Sequence, residues 1–203
     1  MQTFRFRLTG AALAATAALV ILTGCATDPT DPDHRADGST TSIRSAADES
    51  FGVGGQVVTA EDGHIADSAP ITVLADNPAI ANLDADLRDA VTRASEAAAN
   101  EGIEVLVNSG WRSKRYQQAL LDQGVEEHGS LAEARRWVNT PQRSTHVVGR
   151  AVDLGAIDAV VWMQENGREF GLCQTYENES WHYELSTTPG GECPEMLTDS
   201  SVG

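Results

Sequence analysis

The chain has 203 residues, with 30 Asp and Glu against 14 Lys and Arg and a formal net charge of -16. That length holds one domain plus appendages. With Lys114 its one lysine, it has little to neutralise a phosphate backbone, which excludes nucleic acid as a partner.

Arg5 and Arg7 precede an apolar run over residues 8–22, the layout of an export signal. The run is too short and too rich in alanine to read as a spanning helix. It ends Leu22-Thr23-Gly24-Cys25, which resembles a bacterial lipoprotein processing site. The resemblance implies a signal peptide over 1–24 and a lipidated Cys25 that anchors the protein to the outer face of the bacterial cell membrane, facing the wall. Several acyl chains on one residue give stable attachment where a single chain is marginal.

Residues 25–70 are rich in Asp, Ser, Thr, Gly and Pro and poor in large apolar side chains. Such a stretch buries too little surface to offset its ordering entropy and reads as a flexible tether, with His34 and His64 solvated. Its one apolar patch, residues 51–58, either docks on the domain or stays with the tether.

The folded domain is expected over 71–197, with 198–203 a frayed tail. Asn82 can cap a helix whose apolar stripe runs Leu83, Leu87, Val91, Ala94 and Ala98, and Gly102 stops it. Residues 103–107 read as a buried strand that delivers Ser109-Gly110-Trp111-Arg112 at its end. Residues 113–122 and 131–138 read as helices, the first turning Tyr116, Leu120 and Leu121 inward, with a solvated His128 between them. Thr140-Pro141 breaks the second helix. After Asp153, a helix over 156–170 turns Ile157, Val160, Val161 and Met163 inward. These elements predict an α+β domain: a small antiparallel sheet carrying the site, with helices packed on one side.

Two clusters carry the chemistry. In Ser144-Thr145-His146-Val147-Val148-Gly149-Arg150-Ala151-Val152-Asp153, His146 and Asp153 are an odd number of positions apart, so one regular strand would send them to opposite faces. The chain must turn between them, and Gly149 is best able to do so. In Glu179-Ser180-Trp181-His182-Tyr183-Glu184, a strand from 181 to 185 puts His182 and Glu184 on one face, and Glu179 joins them only from a bend at its start. Two histidines and an aspartate make a three-ligand zinc (Zn2+) set with a fourth position for water. Glu179 would be a carboxylate near that water without binding the metal, as a general base requires. A lone histidine near a strand is more often an ordinary hydrogen-bonded residue, so the case rests on both clusters together.

The order Ser109-Gly110-Trp111-Arg112-Ser113, then Ser-x-His-x-x-Gly-x-Ala-x-Asp, then Glu-x-Trp-His resembles the zinc D-alanyl-D-alanine carboxypeptidases and dipeptidases linked to vancomycin resistance. The likeness covers about residues 103–185. It implies His146, Asp153 and His182 as zinc ligands, Glu179 as catalytic base, Arg112 as a catalytic and substrate-binding group, Ser144 as a substrate contact, and Gln117 as a substrate-side residue that supports the site. It also implies peptidoglycan stem peptides as substrate and removal of a terminal D-alanine as the reaction. An endopeptidase of the same fold and a non-catalytic wall-binding lipoprotein are the alternatives, and retention of Glu179 argues against the second. The protein is expected to be a monomer. With Cys25 set aside, Cys173 and Cys193 are an even pair in an exported chain and argue for a disulfide. It would close a loop of about twenty residues and contribute on the order of 3 kcal/mol.

Overall fold

The computed structural model describes residues 50–202. The export signal, Cys25, His34 and the first part of the tether lie outside the described residues. A hairpin of Phe51–Val53 (β1) and Gln56–Val58 (β2) is followed by helices Pro78–Ala81 (α1) and Ala85–Asn100 (α2) and strand Leu106–Ser109 (β3). Helices Lys114–His128 (α3) and Leu131–Ala134 (α4), strand Ala151–Gly155 (β4) and helix Ile157–Asn166 (α5) come next. Leu172–Gln174 (β5) and His182–Leu185 (β6) complete a four-stranded sheet in the order β3-β4-β6-β5, every neighbouring pair antiparallel.

Side-chain caps set where the helices start. Asn77, Asp84, Ser113 and Ser130 accept from the amides of Ala79, Asp86, Tyr116 and Glu133. Asn82 does not cap α2, as its sequence position suggested; Pro78 starts a separate short helix that Asn82 closes, and Asp84 caps α2. The stripe on α2 forms as expected, with Leu87, Val91, Ala94 and Ala98 buried. It packs with Val107, Val152, Leu154, Leu172 and Tyr183 from one face of the sheet, and α5 adds Ala159, Trp162 and Met163 to the same core. The inward residues of α5 differ from expectation: Ile157 is 86% and Val161 49% exposed. Residues 159–163 are all apolar, so periodicity cannot choose a face, and the larger Trp162 and Met163 take the interior.

Both ends of the domain reach further than composition suggested. Val53 and Val58 are buried with Tyr116 and Ala119 of α3. Asp62 accepts from the Ser113 hydroxyl (2.8 Å) and pairs with Arg115, which also donates to the Val57 carbonyl (2.7 Å). His64 is not solvated as read: it stacks on Phe51 at 4.9 Å and meets Tyr116 edge-on. Residues 51–70 therefore belong to the folded domain, which was expected to begin at 71. The docking is polar as much as apolar, and a count of apolar residues misses the polar half. His128 lies against Trp137, with ring centroids 6.0 Å apart. The tail beyond 197 is not frayed either, for Leu197 bridges to Tyr176, and Asp199 and Ser200 are buried. A Cys173–Cys193 disulfide, Cα atoms 5.7 Å apart, ties β5 to the segment leading into that tail.

Candidate metal centre

Strand pairing assembles half of the site. Asp153 on β4 lies opposite His182 on β6, and Ser109 on β3 lies on the other side of Asp153. Opposed residues share a face, so the face away from α2 and α5 carries a carboxylate and an imidazole that are 29 positions apart in the chain. His146 arrives from outside the sheet on a 3-10 turn, Thr145–Val148, closed by Gly149 at φ 72°. A Cβ on Gly149 would sit 2.3 Å from the Asn82 carbonyl oxygen, so both conformation and space require glycine here.

The three side chains are buried and converge on one point. His146 Nε2 is 3.2 Å from His182 Nδ1 and 3.3 Å from Asp153 Oδ1, and His182 Nδ1 is 3.2 Å from the same oxygen. A tetrahedral zinc with ligand distances near 2.0–2.1 Å separates its ligands by about 3.3–3.4 Å. The triangle already has that edge, so the donors fit the ion without rearrangement. The remaining ring nitrogens are engaged: His146 Nδ1 donates to the Gly110 carbonyl (2.7 Å) and His182 Nε2 lies 3.1 Å from Glu184 Oε1. Such partners fix each ring's tautomer and aim the other nitrogen at the metal.

Without a metal, each ionisable group of the cluster is shifted by burial and by its own neighbours. Burial alone would raise the Asp153 carboxyl, but His146 and Arg112 hold it well below the usual range. Burial alone would lower His182, but its hydrogen bonds to Asp153 and Glu184 carry it up to about 9. Burial and the Arg112 charge lower His146.

Glu179 sits in the turn before β6, with Oε2 4.0 Å from His182 Nδ1 and outside the donor triangle. Its Oε1 is buried with no hydrogen-bond partner among the described residues. Burial pushes this carboxyl up to about 7, against the opposing pull of His182. Arg112 is held on three sides: Nε donates to Ser109 Oγ (2.7 Å), one terminal nitrogen to Gln117 Oε1 (3.3 Å), and the other to Asp153 Oδ2. Gln117 in turn donates to the Asn139 carbonyl (2.8 Å), which ties α3 to the loop leading to His146. The three donors, Glu179, Arg112, Gln117, Asn139 and Ser144 line a cavity of about 150 Å³, walled further by Trp137, Tyr176, Trp181 and Ser200.

All seven of the residues singled out for chemistry thus meet in one cavity. Sequence reasoning missed Glu184 as the partner of His182, although its alternation with His182 was legible. It also missed the Gly110 carbonyl, Asn139 and Ser200, for which no local signal exists.

Residues 80–188 match the family described as VanY, D-alanyl-D-alanine carboxypeptidase. A D-alanyl-D-alanine carboxypeptidase of Enterococcus faecalis is 32% identical over 43% of this chain and 42% of its own, so the chain spans less than half the length of that relative. Among solved structures, a vancomycin-resistance D,D-pentapeptidase VanY in complex with Zn(II) is 28% identical, covering 50% of this chain and 71% of that one at a TM-score of 0.48. The LD-carboxypeptidase LdcB is 24% identical, covering 53% and 61%, at a TM-score of 0.47. With the family match extending over more than half the chain and enclosing every residue of the donor cluster, this protein belongs to the VanY family of D-alanyl-D-alanine carboxypeptidases.

Proposed function

We propose that the protein is a zinc-dependent peptidase that removes the terminal D-alanine from peptidoglycan stem peptides ending D-Ala-D-Ala. The observation that carries this reading is the buried, unpartnered Oε1 of Glu179 beside a three-donor triangle of tetrahedral dimensions. His146, Asp153 and His182 would hold the ion, which supplies Lewis acidity toward a carbonyl and lowers the pKa of a water to about 7. Glu179 takes the proton of the attacking water and returns it to the departing amine, a role suited to a carboxyl whose pKa lies near neutrality. Arg112 keeps two N–H groups beyond the three already engaged, out of five on a guanidinium. They can meet the developing oxyanion or a substrate carboxylate. Ser144 offers a hydroxyl from the cavity wall.

The site would face the cell wall on a monomer anchored through a lipid on Cys25; the Leu-Thr-Gly-Cys sequence supports that placement. The deciding experiment is mass spectrometry of a pentapeptide stem incubated with the soluble domain, with and without a chelator. Loss of one alanine, blocked by chelator and restored by zinc, is the expected result. Loss of a dipeptide or an internal cut would replace terminal trimming with endopeptidase action, and no cleavage by zinc-loaded protein would favour a wall-binding role.

A further inference from the structure

We propose that the C-terminal segment 197–201 is a strap that positions Glu179, with Asp199 and Arg136 as the positioning residues. The inference rests on the catalytic role given to Glu179 above and explains how that side chain is aimed.

Glu179 has an orientation problem. One of its carboxylate oxygens is buried without a partner, so the side chain cannot be held at that atom. Its direction depends on the Ser200 hydroxyl, whose hydrogen bond lowers the Glu179 pKa against the effect of burial, and on the backbone turn that carries it; turns of this kind move unless they are tied down. This turn is short of internal ties: the Glu179 amide reaches the Tyr176 carbonyl at 3.3 Å, and the His182 amide reaches the Glu179 carbonyl at 3.1 Å.

The tail supplies the missing ties from two directions. Leu197 pairs with Tyr176 as a short parallel bridge, accepting from the Glu177 amide (2.8 Å) and donating to the Thr175 carbonyl (2.9 Å). Two residues on, Asp199 accepts from Arg136 Nε (3.0 Å), and the Arg136 carbonyl accepts from the Asn178 side-chain amide (2.8 Å). Ser200 donates to the Arg135 carbonyl (3.0 Å) and lines the cavity. Asn178, next to the proposed base, is therefore fastened to the segment that Asp199 clamps. The Asp199 carboxylate is 8% exposed, while Arg136 is half exposed, so the pair sits at the edge of the domain. The Cys173–Cys193 disulfide returns the chain to β5 four residues before Leu197, which keeps the strap close to the turn it holds.

The test uses the full-length protein with Asp199→Ala, and Arg136→Ala as a second variant because Arg136 is half exposed and its removal spares the core. The zinc ligands lie outside the strap, so zinc content per chain should stay at the parental level. Misaiming a catalytic group costs up to about a hundredfold, so kcat should fall about 10- to 100-fold while KM changes less than about threefold. Arg136→Lys, which keeps the charge, should recover most of the rate. Hydrogen exchange supplies a readout that does not depend on hydrolysis: the Glu177 and Glu179 amides should exchange faster in both alanine variants, while β4 stays protected. Unchanged kcat and unchanged exchange would overturn the proposal, as would a parallel loss of zinc and β4 protection, which would make the strap ordinary scaffold. If the parent cleaves no stem peptide, the peptidase reading fails, while exchange at 177 and 179 still decides whether the strap holds the turn.

Discussion

Asp153 uses its two oxygens in different directions. Oδ1 points into the triangle shared with His146 and His182, and Oδ2 is taken by Arg112. This division fixes the carboxylate plane and keeps Arg112 beside the reacting centre. Glu184 does the equivalent for His182 by engaging its outward nitrogen. Glu184→Gln should therefore weaken zinc affinity about 10- to 100-fold, since loss of such an outer partner has that typical effect; chelator competition would measure it. Glu179→Gln should leave zinc content unchanged and lower kcat by roughly 10²- to 10⁴-fold, the usual contribution of a general base. An active Glu179→Gln enzyme would remove Glu179 from the mechanism. Of these residues, His182 and Glu184 were readable as a same-face pair from alternation alone. The Gly110 carbonyl was not, because a backbone acceptor leaves no mark in a sequence.

At the scale of elements, the β1–β2 hairpin is docked on α3 by charge as much as by apolar contact. Burial alone would raise the Asp62 carboxyl, but the Ser113 hydroxyl, the Thr59 amide and Arg115 outweigh it and hold it below the usual carboxylate range. A carboxyl depressed in the folded state contributes stability above its unfolded value of about 3.9, lost as pH falls through the folded value. Hairpin docking should accordingly persist across neutral pH and weaken in acid below about pH 4. Asp62→Asn should reproduce the acid effect at neutral pH, read as faster hydrogen exchange over 51–62 with β4 unchanged. Gly149→Ala should be more severe. It forces an L side chain into left-handed backbone and drives its Cβ against the Asn82 carbonyl oxygen. The cost is on the order of 1–2 kcal/mol from conformation alone, before the clash, with His146 displaced and zinc affinity reduced together. Gly149 was legible as the required turn, whereas Asp62 was not, because its partners Ser113 and Arg115 lie more than fifty positions away.

Across the whole molecule, the Cys173–Cys193 bond encloses the turn bearing Glu179 and the strand bearing His182. Closing a loop of about twenty residues stabilises by about 3 kcal/mol. For a domain of about 150 residues this corresponds to a Tm shift on the order of 10 °C. Cys173→Ser with Cys193→Ser should lower Tm by about that amount in calorimetry, and an unchanged Tm would mean that the bond contributes nothing beyond the fold.

The zinc-ligand candidates, the buried stripe of α2 and the paired cysteines were decided by the sequence itself. The stripe and the cysteines depend on spacing within a few residues or on the count of a rare residue type, and the ligand candidates on two short clusters together with a family resemblance. The tertiary structure alone decided that Arg112 pairs with Asp153, that the hairpin belongs to the domain, and that the tail returns to the site. Those contacts join segments tens of residues apart, and strand register and loop return, unlike helical periodicity, are written in no single stretch of chain. The inward face of α5 falls between the two cases: five consecutive apolar residues allowed several faces, and packing against α2 and the sheet selected one.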